Sequence, residues 1–154
     1  MTFSHLDETG AARMVDVADK EVTVRTATAT GRVELSAVCV ALLRGQGVPK
    51  GDALAVARVA GIMGAKRTPD LVPLCHPIAL HGVTVELSVD DAGVAVQAVA
   101  RTADRTGVEM EALTAVTVAC LTLIDMTKSV DPHGTITAVQ VEEKTGGKTG
   151  SWTR

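Results

Sequence analysis

Asp125 and Lys128 stand three residues apart, so on a helix they share one face. As an ordinary surface ion pair they would contribute little. They follow thirteen uncharged residues, Ala112 to Ile124, so an acid and a base emerge where a buried segment should end. A lysine partly desolvated there can exchange protons near neutral pH while Asp125 holds it in place. Glu109 and Glu111 lie at the other end of the same segment. Fourteen residues separate Glu111 from Asp125, about 21 Å of helix. The two ends can serve one site only if the ligand is long or the ends come from different copies of the chain.

Other residues offer chemistry with less spacing to support them. His76 lies in a proline-stiffened loop, where it is either an ordinary loop histidine or an imidazole fixed to donate to phosphate or move a proton. Cys75 beside it reads as a packed thiol, and no Cys/His set has metal-ligand spacing. Lys50 precedes a helix start, as a plain surface lysine or as a cation beside free helix amides that would cradle phosphate. Arg25 falls mid-strand, where an inward guanidinium would need an anionic partner. Gly147-Lys148-Thr149 suggests a P-loop, but Glu142 and Glu143 stand where the first glycine is required and no helix follows. Lys144 and Lys148 instead belong to a flexible basic tail, 144–154, either merely mobile or closing over an anion.

The elements that must position these groups follow from pattern. Residues 1–20 form an irregular lead-in. Glu21–Thr30 alternates as a strand that Gly31 should break. A helix is expected from Glu34 to about Gly45, with Leu35, Val38, Ala41 and Leu42 on its inner stripe, and a second from Asp52 to about Lys66. Three prolines in TPDLVPLCHP argue for a stiff loop without helix. Residues 81–89 and 94–101 alternate around an Asp-Asp-Ala-Gly turn and predict a hairpin. A long helix from Thr106 to about Val130 is expected, opened by a Thr106/Glu109 capping box. Thr135–Glu143 predicts the last strand. The order β-α-β-β-α-β is that of α+β ferredoxin-like folds: four antiparallel strands with helices on one face, in a single domain spanning 1–154. Val, Ala and Thr on both strand phases suggest that a neighbouring copy covers the second face.

Composition excludes several function classes. The 154 residues carry a net charge of −3 and only Phe3 and Trp152 as aromatics, so neither a phosphate-clamping nucleic-acid binder nor a base-stacking platform is expected. The core must be aliphatic. Three scattered cysteines suit a reducing compartment. The opening MTFSHLDETG has no apolar segment, and the thirteen-residue apolar run is short for a membrane span. A cytoplasmic location is the expectation, without membrane or nucleic-acid partners.

The stretches SHLDETGAARMVDV, VPKGDALAVARVAGIMGAKRTPDLVPLCHPIALHGV, RTGVEMEALTAVTVACLTLIDMTKSVD and VEEKTGGKTGSW resemble, in order, the molybdenum cofactor biosynthesis protein C family of cyclic pyranopterin monophosphate synthases. The resemblance covers essentially the whole chain. It departs mildly at Thr127, where the family has cysteine, and at the turn Asp131–Gly134. It implies conversion of a cyclised guanosine triphosphate to a pyranopterin with a cyclic phosphate, with release of pyrophosphate. By motif it implies Asp125, Lys128 and Lys50 as catalytic residues. Leu74, Cys75, His76, Met110 and Glu111 would contact substrate, with Lys144, Lys148 and Arg25 toward its phosphates. It further implies a hexamer, a trimer of dimers, with sites shared between subunits. No resident metal is implied, although magnesium can accompany the triphosphate. The rivals are a non-catalytic, nucleotide-sensing module and a ligand-free scaffold. Neither needs a proton-transfer pair.

Overall fold

The computed structural model describes residues 4–154; the first three lead-in residues, Phe3 among them, lie outside it. Strand β1, Thr23–Glu34, runs straight through Gly31. A Cβ there would sit 2.5 Å from Val116 Cγ1 and 3.1 Å from Val139 Cγ2. Gly31 therefore marks a close helix approach rather than a strand end. Because β1 continues to Glu34, helix α1 starts only at Ala37 and ends at Arg44, with Ser36 Oγ accepting from the Cys39 N–H. Its inward residues are Cys39 and Val40, and Val38, expected inside, is two-thirds exposed.

Helix α2, Ala53–Lys66, is capped by Asp52, whose carboxylate accepts from the Ala55 N–H. The stiff loop contains one short turn of helix, α3, Thr68–Leu71. Pro69 sits in its first turn, where its missing N–H would have no partner anyway. The hairpin forms as β2, Gly82–Asp90, and β3, Gly93–Asp104. Helix α4 runs from Glu109 to Thr127. Glu109 is its first residue, so Glu109 cannot be the third helical residue that a capping box needs, and no side chain caps the Val108 start.

Strand β4, Thr135–Thr145, pairs with β1, and a short β5, Trp152–Thr153, adds to its outer edge. The chain is thus α+β with an antiparallel sheet of five strands, not four, in the order β2-β3-β1-β4-β5. The tail is no loose flap: Lys144 and Thr145 belong to β4, and the Arg154 N–H closes on the Glu142 carbonyl at 2.7 Å.

One face of the sheet is small and apolar, with Ala27, Ala29, Val33, Val94, Val96, Ala98 and Ala100 buried beneath α4. On α4, Ala112, Ala115, Val116, Ala119, Cys120 and Leu123 are fully buried against it. Without aromatics to fill space, the layers approach through small residues. A Cβ on Gly61 of α2 would meet the Ala115 carbonyl at 2.9 Å, and one on Gly64 would meet Val118 at 2.8 Å. By length and composition α4 is apolar enough to cross a membrane, yet here its apolar side packs on the sheet. The opposite face carries Thr30, Arg32, Glu86, Ser88, Gln97 and Gln140 around a shallow cavity of about 420 Å³.

Two irregularities in the β1–β4 register interrupt the alternation expected of the last strand, one between Thr28 and Ala29 and one between Thr30 and Arg32. The second includes Ala138 at φ 52°. Such bulges re-aim side chains. Gln140 and Glu142 reach the polar face, where Glu142 accepts from Thr30 Oγ1, while Lys144, opposite the buried Ala27, turns toward α4. Gly31→Ala should lower stability by about 1–3 kcal/mol through overpacking against Val116. Urea denaturation checks this, and an unchanged midpoint would show that α4 can back away.

Candidate functional site

Two groups of candidate residues form, one at each end of α4. At the C-terminal end the Asp125 carboxylate is shared by two amines: Lys128 Nζ lies 2.7 Å from Oδ1 and Lys50 Nζ 3.0 Å from Oδ2. Lys128 comes from the cap of α4 itself. Lys50 arrives from the tight turn Val48–Gly51, where Gly51 takes φ 107° and its N–H bonds the Val48 carbonyl. Lys50 thus faces the Asp125 carboxylate, while at the start of α2 the Ala55 N–H is taken by Asp52. Hydrogen bonds from Lys128 and then Lys50 hold the Asp125 carboxyl below its ordinary range, so it is ionised at neutral pH. All three side chains remain between two-fifths and three-fifths exposed.

The surroundings brace this end. Thr127 is fully buried and its Oγ1 donates to the Leu123 carbonyl at 2.7 Å, so the buried hydroxyl is satisfied. Asp131 accepts from the Ser36 N–H at 2.6 Å and from the His133 N–H at 3.0 Å, tying the turn after α4 to the start of α1.

At the N-terminal end a cavity of about 560 Å³ opens among Leu74, Cys75, His76, Met110 and Glu111. The lead-in, which showed no pattern in sequence, supplies its other wall through Val15, Val17 and Lys20. His76 Nε2 bonds the Val15 carbonyl. A carbonyl only accepts, so Nε2 is the protonated donor in this contact. Glu111 is almost wholly buried, and desolvation above all, with the charge of Glu109 adding to it, raises its carboxyl to about 7. Burial first, and the Glu111 charge second, raise the Cys75 thiol. Cys75 is therefore a neutral lining group rather than a thiolate.

Beside this cavity Lys144 Nζ lies 3.4 Å from Glu109 Oε1 and 2.6 Å from Thr149 Oγ1. Glu109 thus pairs across to β4. Arg25 is half-buried, its Nε donating to the Asp104 carbonyl at 3.0 Å, and it shares a smaller cavity with Lys148. Sequence reasoning passed over Lys20 and Val15. Neither lies in a periodic segment, and the Val15 contribution is made by backbone, which carries no residue signature.

The MoaC family model matches residues 14–147. The chain belongs to the MoaC family. Every candidate named above except Lys148 falls inside the matched span. A cyclic pyranopterin monophosphate synthase from Streptomyces coelicolor is 66% identical over 152 residues, covering 99% of this chain and 89% of that protein. One from Nocardioides sp. is 63% identical over 155 residues, covering 99% and 95%. One from Parvibaculum lavamentivorans is 57% identical over 152 residues, covering 97% and 95%.

Glu111 gives this site a pH signature. Its carboxyl titrates near 4.5 when exposed and near 7 in the fold, so the native state favours the protonated form. That contribution to stability is complete below pH 4.5 and is lost as pH rises through 7. It should be on the order of 3 kcal/mol. Denaturation at a series of pH values should show this loss in the wild type and its absence in Glu111→Gln. Parallel curves would place the carboxyl in a wetter setting.

Proposed function

We propose that the chain is a cyclic pyranopterin monophosphate synthase of molybdenum cofactor biosynthesis. It would convert 3',8-cyclo-7,8-dihydro-GTP to cyclic pyranopterin monophosphate and release pyrophosphate. The observation that carries this reading is the Lys50–Asp125–Lys128 couple in a chain that shares 57–67% of its residues with proteins of that name. Opening and reclosing a purine-derived ring requires protons to be moved at neutral pH. Two amines held within 3.0 Å of one carboxylate suit that work, with Lys128 and Lys50 transferring protons and Asp125 orienting both.

The other end supplies recognition. Leu74, Cys75, His76, Met110 and Glu111 would contact the ring system, and Arg25, Lys144 and Lys148 the phosphates. Charge on a departing diphosphate must be neutralised, which favours several cations over one. Because about 21 Å of α4 separates Glu111 from Asp125, one substrate meets both sets most readily where two copies join them. The working assembly is then a homo-oligomer, a trimer of dimers, with sites shared between subunits. Val56, Val59 and Met63 on α2 and Leu121 on α4, each between two-fifths and three-fifths exposed, give the helical surface an apolar area suited to such contacts. The sheet order β2-β3-β1-β4 supports a ferredoxin-like arrangement extended by β5. Cytoplasmic action on a small molecule accords with this chemistry.

Lys128→Ala and Lys50→Ala should each cut pyrophosphate release by roughly 10²–10⁴-fold. Both side chains are substantially exposed, so the thermal unfolding of the variants should match the wild type. Full turnover by Lys128→Ala would remove it from proton transfer.

A further inference from the structure

The lead-in is irregular, yet it walls one side of the larger cavity. Its first half closes on itself: Asp7 Oδ1 accepts from the N–H groups of Thr9 and Ala11, and the Arg13 N–H returns to the His5 carbonyl at 2.8 Å. From Met14 to Val17 exposure alternates. Met14 and Asp16 face solvent, while Val15 and Val17 are half-buried and line the cavity. That is the period of an extended chain, but among the described residues no strand pairs with it.

Backbone outside a ladder must find other partners. Two side chains from distant elements supply them to residues 14–20. At one end His76 Nε2 bonds the Val15 carbonyl. At the other, Arg105 Nε donates to the Lys20 carbonyl at 2.9 Å, joining residues 85 positions apart. Arg105 is itself fixed: it follows β3 directly, and its N–H donates to Asp104 Oδ1 at 2.7 Å. The next two residues, Thr106 and Gly107, line the same cavity. Arg105 therefore ties the irregular wall to the connection between β3 and α4.

We infer that residues 14–20 form a strap across the cavity of Leu74, His76 and Glu111, and that Arg105 is the positioning residue that holds its far end. A segment held by few hydrogen bonds and no ladder opens at low free energy while the sheet and α4 stay folded. Closed, the strap sets Val15 and Val17 against the cavity and keeps water from a bound ring system; open, it lets one in or out. The two pins differ in kind. His76 also lines the cavity, so a ligand that takes its imidazole competes with the Val15 bond. Arg105 lies outside the lining and holds the strap whether the cavity is full or empty. That the ring system is the substrate's rests on the proposed function; the pinned strap stands on its geometry.

Limited trypsin digestion of the full chain tests the strap, because the peptide bond after Lys20 is the one whose carbonyl Arg105 holds. Cleavage after Lys20 should be slow in the wild type, and Arg105→Ala should speed it roughly tenfold. The melting temperature should not change, since the lost bond lies at the surface. Arg105→Lys keeps a donor without the fixed planar geometry, so its cleavage rate should fall between the two, and it carries the test if the alanine variant does not fold. In turnover of the cyclised triphosphate, Arg105→Ala should raise KM several-fold with kcat little changed, the signature of lost holding rather than lost chemistry. Equal cleavage rates after Lys20 in the wild type and both variants, or a fall in kcat at unchanged KM, would overturn the inference. Faster cleavage of the variants of a protein that fails to convert the cyclised triphosphate would count against the proposed function and leave the strap standing.

Discussion

Helix α4 is a rod nineteen residues long, and its packing along the sheet keeps its ends apart. One end presents an ionised carboxylate with two amines, the other a buried carboxyl that titrates near neutrality. No loop motion can fold such a helix back on itself. Everything proposed about recognition and proton transfer therefore depends on how the two ends are brought to one substrate. The rigidity also has a use: each set of side chains is anchored to a single element and does not drift relative to its own neighbours.

That rigidity comes from small side chains. With almost no aromatic residues, the interior closes by letting backbones approach, through Gly31 under Val116 and through Gly61 and Gly64 between α2 and α4. A larger residue at any of these points would lift α4 and move both candidate groups at once. The bulged β4 strand belongs to the same design, since its register irregularities place Glu142 and Lys144 on opposite faces and let Lys144 reach Glu109.

Much of this was legible in the chain. Alternation located β2 and β3, the run from Asp52 to about Lys66 located α2, and the i, i+3 spacing of Asp125 and Lys128 gave their ion pair. What escaped had identifiable physical causes. Gly31 read as a breaker because a sequence shows the missing side chain but not the helix that needs its absence. Val38 fell on the expected inner stripe of α1, yet the later start of that helix turned it outward. Glu109 matched a capping box by spacing, but a cation on β4 claimed its carboxylate. Thr145 and the basic tail lacked any long apolar pattern, and their order comes from pairing with an existing edge, a tertiary effect. Lys50 was a candidate on other grounds; its approach to Asp125 joins residues 75 positions apart, a contact local pattern does not carry.

Subunit complementation addresses the central point most directly. A Lys128→Ala chain and a His76→Ala chain, each inactive alone, are unfolded together and refolded as a mixture, and pyrophosphate release is measured. If substrate is held between one copy's Asp125 end and another's Glu111 end, random pairing regenerates intact sites and activity returns to about a quarter of wild type. A mixture as inactive as its components, despite demonstrated exchange of subunits, would mean that each chain must carry both sets for itself, and the account would be wrong.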